Sequence, residues 1–320
     1  MTVLVTGAAG FIGYHLCRRL LERGDRVAGL DNLNGYYEVS LKEARLAELD
    51  KLGGDFTFYK VGLEDATTLQ RIFADEGFEK VVNLAAQGGV RYSIEAPQAY
   101  IDSNITGFLN ILNGCRDTGV EHLIYASSSS VYGDNDISPF STEARVDRPL
   151  SIYAATKLAD ELMAHVYHHQ FEMNLTGLRF FTVYGPWGRP DMSAFLFLGA
   201  LLNDRPIKLF NEGSHRRDFT YVDDIVEGII RIVDAKSVSG SGVYNIGLGE
   251  PVDLLEYVEI LERLTGKQAI KELLPMQPGD VEATWADVSA LERDFGYRPS
   301  VSIESGLEQF VRWYRDYYQI

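Results

Sequence analysis

The sequence has 320 residues, of which 46% are hydrophobic and 24% charged, and its formal net charge is −16. This length accommodates two domains or one large one, and the composition is that of an ordinary globular protein. The acidic balance argues against nucleic acid as a partner, since affinity for a phosphate backbone depends on lysine and arginine, but it leaves room for a local basic pocket that binds a small phosphate ester.

Strand and helix patterns alternate through the first half of the chain at the pace of βαβ units. Short apolar runs predict buried parallel strands at residues 3–5, 26–30, 56–60, 80–84, 122–126 and 175–180. The intervening helical patterns cover residues 12–23, 41–50, 66–76, 97–118 and 154–171. We therefore predict an α/β fold built on a doubly wound parallel (Rossmann) sheet, with ligands bound beyond the carboxyl ends of the strands.

The rhythm changes after residues 184–186 to loops, a short strand at 207–210 and isolated helices. Residues 222–234 show the pattern of a long helix, and residues 242–246 that of a strand returning to the first sheet. These patterns predict a Rossmann domain and a smaller, discontinuous α/β substrate domain. The first covers residues 1–180 plus about 222–248, and the second covers about 181–221 plus 249–320.

A glycine motif, Gly7-Ala-Ala-Gly10-Phe-Ile-Gly13, joins the first strand to the first helix. Gly7 allows the tight turn, Gly10 lets the backbone approach a pyrophosphate, and Gly13 permits close packing of helix on strand. The helix N-terminus favours the anion. Asp31 ends the second strand, where a carboxylate accepts hydrogen bonds from ribose hydroxyls and repels a 2′-phosphate. No arginine follows it immediately, so the sequence favours NAD over NADP.

A tyrosine and a lysine lie four residues apart in a predicted helix, at Tyr153 and Lys157. Both side chains leave the same helical face one turn apart, so the ammonium favours the phenolate. A free tyrosine, with a pKa of ~10, is almost fully protonated at neutral pH, but beside a cation it can act as a general base toward a substrate hydroxyl. This spacing also occurs by chance in many proteins, and its meaning depends on the motifs around it.

The glycine loop, Asp31, a serine-rich strand end and Tyr-x-x-x-Lys occur in the order found in the extended short-chain dehydrogenase/reductase family, which the chain resembles over nearly its full length. Within that family it is similar to the nucleotide-sugar epimerases, and most of all to the bacterial UDP-glucuronate 4-epimerases. The matching stretches are residues 83–92, 127–133, 179–191, 217–224 and 277–280. The resemblance implies NAD as cofactor, a UDP-sugar as substrate, and a homodimer in which helices at 99–112 and 158–167 form a four-helix bundle.

The resemblance also assigns roles to individual residues. Tyr153 is the implied base, Lys157 its partner that holds the nicotinamide ribose, and Ser128 a hydrogen-bond donor to the reacting sugar oxygen. The NAD site is implied at Gly7, Gly10, Phe11, Ile12, Gly13, Asp31, Asn32, Leu63, Leu84 and Ala86, with Tyr153 and Lys157. The UDP-sugar site is implied at Thr182, Arg189, Phe210, Arg217 and Asp280.

Four positions leave alternatives open. Arg91 is either a substrate contact or loop scaffolding, and Arg217, beside Asp218, could instead be a surface ion-pair partner. Gly62 stands where many relatives have an acid that touches adenine, so that contact is absent or made by backbone. Tyr14 stands where a small residue is common and could narrow the space beside the cofactor.

Related enzymes share oxidation at the sugar C4 and differ in the later steps. The 4,6-dehydratases carry Asp-Glu where this chain has Ser129 and Ser130, and the UDP-glucuronate decarboxylases carry a glutamate at the position of Ser130. A row of hydroxyls can donate hydrogen bonds to an anion without repelling it. We therefore expect Ser128, Ser129, Ser130 and Thr182 to hold a substrate carboxylate and suppress its loss as CO₂, with Ser127 satisfying backbone groups at the strand end.

The sequence thus predicts a UDP-glucuronate 4-epimerase of polysaccharide biosynthesis. Alternatives are an epimerase of neutral or N-acetylated UDP-hexoses, a UDP-glucuronate decarboxylase, an oxidoreductase that releases NADH, and an NAD-binding regulatory protein, which the retained base, lysine and Ser128 oppose. His165, His168 and His169 have no acid-rich partner motif, so we expect no metal.

The sequence also bears on compartment. The chain enters a strand pattern at residues 2–6 without the basic region and apolar core of a signal peptide. Its longest apolar run, 194–202, is about half of the ~20 residues that a membrane helix needs, and we interpret it as a buried helix. Cys17 and Cys115 fall inside helical patterns, which favours reduced, buried thiols. We expect a cytoplasmic protein with no membrane partner.

Overall fold

The computed structural model describes residues 1–135, 137–235, 240–276 and 282–320. Strands and helices alternate in its first part, as the apolar runs predict. The strands are β1 (Thr2–Thr6), β2 (Arg26–Asp31), β3 (Phe56–Lys60), β4 (Lys80–Asn83), β5 (His122–Ser128) and β6 (Leu175–Phe180). The helices are α1 (Phe11–Glu22), α2 (Val39–Leu52), α3 (Ala66–Glu76), α4 (Tyr92–Glu95), α5 (Pro97–Tyr100), α6 (Gly107–Thr118) and α7 (Ile152–Phe171).

The remainder of the chain contributes shorter strands and further helices. The strands are β7 (Thr182–Tyr184), β8 (Ile207–Leu209), β9 (Arg216–Tyr221), β10 (Ser241–Ile246), β11 (Pro251–Asp253), β12 (Lys271–Leu273) and β13 (Ala283–Thr284). The helices are α8 (Ser193–Leu202), α9 (Val222–Val233), α10 (Leu254–Thr265), α11 (Ser289–Phe295) and α12 (Ile303–Tyr318).

The main sheet has the strand order β10-β6-β5-β4-β1-β2-β3, and each neighbouring pair runs parallel. The direction of winding reverses between β1 and β4, which is the switch point where such sheets bind ligands. Thr6 and Asn83 are register partners there, and the Thr6 hydroxyl donates to Asn83 Oδ1 over 2.7 Å. The predicted doubly wound α/β fold is confirmed, and β10 returns to the sheet beside β6 as its pattern indicated.

Both faces of the main sheet are covered, because successive side chains of a strand point to opposite faces. On β1, Val3 and Val5 belong to the hydrophobic cluster that includes residues of α1 and α9. Leu4 belongs to the cluster on the other face, with residues of α3 and α6. The sheet is therefore rigid enough to hold functional groups at its carboxyl edge.

The second part of the chain is organised around β9, which pairs in parallel with β7 and β13 and antiparallel with β11. Strands β8 and β12 form a separate parallel pair. The apolar run at 194–202 is the buried helix we predicted, since Phe195 and Leu198 of α8 are in the core. None of the helices in the described ranges is long and apolar enough to cross a membrane.

One predicted helix, residues 97–118, is interrupted in the structure. A π-helical segment, Ile101–Thr106, separates α5 from α6. Within it the amide of the buried Asn104 accepts from the Gln87 backbone N–H (2.8 Å) and donates to the Gln87 carbonyl (3.2 Å) and to Thr156 Oγ1 (2.9 Å). The wider π turn thus accommodates a side chain that satisfies buried backbone groups in the loop after β4 and ties that loop to α7.

Candidate active site

The glycine motif forms a close-packed turn between β1 and α1. Gly7 has a φ of +71°, and its carbonyl accepts from the Gly10 N–H over 2.8 Å. A Cβ on Gly13 would lie 2.0 Å from the Gly7 carbonyl oxygen, so no larger residue fits. Helix α1 begins at Phe11 with Gly10 as its N-cap, which has no side chain to cap the first N–H groups. The turn therefore leaves a cradle of backbone donors for an anion.

A carboxylate and an ammonium lie at the next strand end. Asp31 is buried and accepts from the Leu33 N–H over 2.8 Å, and burial raises the pKa of its carboxyl. Lys42 on α2 is 5% exposed and donates to the Asn34 carbonyl and Oδ1 over 2.8 and 2.9 Å. Burial lowers the pKa of Lys42, and attraction to Asp31 opposes that effect. Both residues line the same cavity, where the carboxylate can accept from ribose hydroxyls and the ammonium can donate to them. Lys42 was not predicted from the sequence. The feature that could have indicated it is a lysine on the buried face of α2.

The two departures from related sequences are resolved differently. The carboxylate of Glu64 fills the space that a side chain on Gly62 would occupy, since a Cβ there would lie 2.2 Å from Glu64 Oε1. An acid is thus available at this place from two residues further on. Tyr14 is buried against the rings of His15 and Trp187, at centroid distances of 4.9 and 5.5 Å, and packs in the core cluster of α1.

The tyrosine and lysine of the predicted pair project from the start of α7. The Ser151 hydroxyl caps this helix by accepting from the Ala154 N–H over 3.1 Å, which fixes Tyr153 in the first turn. The Tyr153 ring meets the ring of Tyr100 edge-on at 6.1 Å. Lys157 is 2% exposed, and its ammonium donates to Asp160 Oδ2 over 3.1 Å. Burial raises the pKa of Asp160 to about 7, against the opposing pull of Lys157.

The serine run lies where β5 ends and a 3₁₀ turn, Ser129–Tyr132, begins. The Ser128 hydroxyl accepts from the Ser130 N–H over 3.2 Å and lies 3.2 Å from the Ser130 hydroxyl. Ser127 points away from this pair and donates to Glu161 Oε1. Ser127 is therefore structural, as expected, but its partner is a carboxylate and not a backbone group.

Beneath the serine run lies a buried polar network. Arg179 donates to both carboxylate oxygens of Glu161, over 2.9 and 2.8 Å, and to the Tyr132 hydroxyl over 3.1 Å. Tyr132 donates to Asn245 Oδ1 over 2.6 Å, and the Asn245 amide donates to the Phe140 carbonyl over 2.6 Å. The network joins α7, β5, β6 and β10, so it fixes the serine run relative to the tyrosine and lysine.

Arginines line the far side of the cavity. Arg189 is paired with Asp191, which also accepts from the Tyr36 hydroxyl over 3.1 Å. Arg91 lies over the ring of Phe210, 5.5 Å from its centroid. These contacts hold two guanidinium groups at the cavity wall of a strongly acidic protein, where they can offset a diphosphate.

Arg217 donates to the carbonyls of Arg216 and Glu282, each over 3.0 Å. The neighbouring Asp218 is buried and turned inward, where it accepts from the backbone N–H groups of Leu248, Gly249 and Ala286. The side chains of Arg217 and Asp218 thus face opposite sides of β9. Asp280, the remaining predicted substrate residue, lies outside the described residues.

A cavity of about 1360 Å³ gathers these groups at the switch point of the sheet. The predicted cofactor residues that line it are Gly7, Gly10, Phe11, Ile12, Gly13, Asp31, Asn32, Leu63, Leu84, Ala86, Tyr153 and Lys157. The predicted substrate residues that line it are Arg91, Ser128, Ser129, Ser130, Thr182, Arg189, Phe210 and Arg217. Of the histidines weighed as ligands, His168 donates from Nδ1 to the Met173 carbonyl over 2.9 Å.

Comparison with known proteins places the chain in a family. Residues 3–247 match the NAD dependent epimerase/dehydratase family. The chain belongs to that family. Protein CapI of Staphylococcus aureus is 52% identical over 100% of both chains, and UDP-glucuronate 4-epimerase 2 of Arabidopsis thaliana is 46% identical over 100% of this chain and 77% of that relative. The structure of UDP-glucuronic acid 4-epimerase from Bacillus cereus with UDP-glucuronic acid and NAD superposes with a TM-score of 0.93 at 37% identity, covering 99% of this chain and 100% of that one.

The residues of this epimerase/dehydratase family member fit NAD, the cofactor of the family. The glycine cradle at Gly13 matches a pyrophosphate, and Asp31 with Lys42 matches the adenosine ribose. The buried ammonium of Lys157 has three N–H donors, of which one donates to Asp160. It has no second protein acceptor among the described residues. Two donors are thus left that can bind hydroxyls of a ribose.

Proposed function

We propose that this protein interconverts UDP-glucuronate and UDP-galacturonate by inverting C4 through a 4-keto sugar. The observation that carries the proposal is the set of hydroxyls at Ser128, Ser129, Ser130 and Thr182, which lines the cavity together with Tyr153 and Lys157. Similarity to UDP-glucuronate 4-epimerases over the full chain supports it. The proposal keeps the predicted division into an NAD domain and a UDP-sugar domain.

Tyr153 acts as the base in this reaction and removes the proton from the O4 hydroxyl of the sugar. The Lys157 ammonium favours the phenolate form, since an opposite charge nearby stabilises an anion. Ser128 donates a hydrogen bond to O4. The glycine cradle, Asp31 and Lys157 would hold NAD, which would supply reversible hydride transfer at C4, on one face of the sugar and then, after the keto sugar has turned, on the other. Tyr153 returns its proton to O4, and because the hydride also returns to C4, the reaction leaves no net oxidation.

The serine run has a second task, because a 4-keto uronic acid is a β-keto acid that loses CO₂ readily. Decarboxylation is favoured when the carboxylate stands perpendicular to the ring in an apolar environment. Hydroxyls of Ser129, Ser130 and Thr182 keep the carboxylate hydrogen-bonded and restrict its angle. The Glu161–Arg179 network beneath them keeps the run in place.

The UDP moiety anchors the substrate while the hexose turns. Arg189 and Arg217 offset the diphosphate, Phe210 offers a ring for the uracil, and Asp280 accepts from the uridine ribose. We assign Arg91 to the substrate side, since its guanidinium is already held against Phe210. A basic wall inside a chain of net charge −16 is the local pocket that a nucleotide-sugar requires.

We also propose a homodimer in the cytoplasm that provides galacturonate for polysaccharide biosynthesis. Exposed apolar side chains on the segments predicted to form the dimer bundle support the dimer: Ile101 and Leu109 on one, and Leu162 and Val166 on the other. Patches of this kind commonly mark interfaces. The buried free thiols of Cys17 and Cys115 support a reducing compartment.

The test is to incubate the purified protein with UDP-glucuronate, with and without added NAD, and to resolve the products by chromatography while recording NADH absorbance. UDP-galacturonate without net NADH is the expected result. UDP-xylose would make the protein a decarboxylase, stoichiometric NADH an oxidoreductase, and conversion of UDP-glucose or UDP-N-acetylglucosamine in its place a neutral-sugar epimerase. Each of these outcomes contradicts the proposal.

A further inference from the structure

Three chemically distinct side chains form a line along one face of α7. Tyr153, Lys157 and Asp160 are at positions i, i+4 and i+7 of the helix. This spacing places all three on one helical face within about two turns. The order along the line is phenol, ammonium, carboxylate. Along the helix, Lys157 therefore stands between a residue that it is proposed to ionise and a residue of opposite charge.

The Lys157–Asp160 contact is the most buried ion pair in the part of the chain that the structure describes. The side chains are 2% and 1% exposed, and the Nζ to Oδ2 distance is 3.1 Å. The second carboxylate oxygen, Asp160 Oδ1, is buried without a hydrogen-bond partner among the described residues. A half-satisfied buried carboxylate is a costly feature for a scaffold, and such groups cluster at functional sites.

The other charges around Asp160 are already compensated. Glu161 is neutralised by both arms of Arg179 on β6. Tyr125 on β5 is fully buried, and its hydroxyl has no hydrogen-bond partner in the described part of the chain. Burial, together with Glu161 and Asp160, raises the pKa of that phenol well above its usual range. Among the described residues, the titratable groups that act on Asp160 are thus Lys157, Glu161 and Tyr125. Among these, Lys157 is its direct ionic partner.

We propose that Asp160 is a positioning residue for the reaction. Its carboxylate fixes the Lys157 ammonium so that the remaining two donors face the cofactor ribose, and its negative charge moderates the pull of that ammonium on the Tyr153 phenol. This inference rests on the proposed roles of Tyr153 and Lys157. The proposal explains why the deeply buried Lys157 has a carboxylate beside it and still has N–H donors that no protein acceptor among the described residues uses.

Neutralising Asp160 should shift the ionisation of Tyr153 in one direction. Above about pH 7 the Asp160 carboxyl of the parent is ionised and the variant lacks that charge. In this range the full field of the ammonium acts on Tyr153 in the variant, and phenolate forms at lower pH. Two turns of helix separate Tyr153 from Asp160, so a partly screened charge at that range should move the phenolate midpoint by about half to one pH unit. A side chain that merely filled space would leave the midpoint in place.

The experiment is an ultraviolet titration of phenolate in the purified holoenzyme. The difference between the parent and Tyr153→Phe isolates the Tyr153 signal, and the same difference is taken in an Asp160→Asn background. The midpoint is expected to move to lower pH, and the acid limb of the epimerisation rate to move the same way. A midpoint that is unchanged or higher would overturn the role of Asp160. Asp160→Ser is the second neutral variant if Asp160→Asn does not fold.

Two controls separate charge from shape. Asp160→Glu keeps the charge and should keep the midpoint near that of the parent; a shift as large as that of the asparagine variant would contradict the proposal. Asp224→Asn neutralises another buried carboxylate, held by the N–H groups of Ser300 and Val301, and should leave the midpoint unmoved. If the midpoint shifts in Asp160→Asn but the parent converts no UDP-glucuronate, the proposed function alone is overturned. If the parent is active but the midpoint does not shift in Asp160→Asn, the role of Asp160 alone is overturned.

Discussion

Helix α7 carries two buried carboxylates on adjacent residues, and their surroundings differ sharply. Glu161 has both oxygens engaged, by two arms of Arg179 and by the Ser127 hydroxyl. Asp160 has one contact, to Lys157, and one oxygen without a partner among the described residues. A complete network resists movement, whereas an incomplete one has groups left to bind something else. We infer that the Glu161 side of the helix is scaffold and that the Asp160 side is the reactive face.

Removing the base should have the largest effect on the reactive face. In Tyr153→Phe the O4 proton has no acceptor, and turnover should fall by about 10²- to 10⁴-fold. The phenyl ring keeps the contact with Tyr100, so the urea unfolding midpoint should not change. Rates and unfolding are measured on the same preparation. A variant that retains more than about a tenth of the parent turnover would assign the base elsewhere.

Breaking the scaffold should show the opposite pattern. Arg179→Met leaves Glu161 buried and unpaired, and the free energy of unfolding should fall by about 3 to 5 kcal/mol. The double variant with Glu161→Leu removes the stranded charge and should recover much of that loss, which urea titration of all three proteins can measure. If the single variant costs less than about 1 kcal/mol, the network is not the scaffold that we describe.

The pH dependence of stability tests the surroundings of Asp160. Burial raises the pKa of Asp160 from 3.8 to about 7, so the folded protein binds this proton more tightly than the unfolded chain does. The stability that this group contributes is complete below pH 3.8 and is lost as the pH rises through about 7. Asp160→Asn lacks this loss, so the free energy of unfolding of the variant should rise relative to that of the parent by on the order of 4 kcal/mol across the window. Parallel curves would contradict the assignment.

The smallest expected effect concerns product choice. Ser130→Ala and Ser129→Ala each remove one donor to the substrate carboxylate, and the share of UDP-pentose should rise about threefold or more, as expected for loss of a hydrogen bond worth about 1 kcal/mol. Ser127→Ala is the matched control, because its hydroxyl faces Glu161 and not the cavity hydroxyls. Chromatography of the products gives both results. An unchanged share of UDP-pentose in both Ser130→Ala and Ser129→Ala would contradict the role of these serines in suppressing decarboxylation.

The sequence predicted the parts of this site that depend on local pattern. The glycine turn, Asp31 at a strand end and the helical spacing of Tyr153 and Lys157 follow from periodicity and from the needs of a tight turn. Lys42 and Asp160 escaped prediction, because a charged residue in a helix is usually solvated and periodicity does not show which partner lies across the core. The π segment at 101–106 escaped for a related reason: Gln87 and Thr156, which Asn104 binds, are distant in sequence.

In the proposed reaction one hydrogen leaves C4 and returns to the same carbon on its other face. UDP-glucuronate deuterated at C4 tests it directly, with the C4 position of the product analysed by mass spectrometry and NMR. We expect UDP-galacturonate to keep its deuterium at C4 in ordinary water, and to gain none when unlabelled substrate reacts in heavy water. Loss of the label to solvent would show that C4 is inverted by proton exchange, which contradicts the roles proposed for Tyr153, Lys157 and NAD.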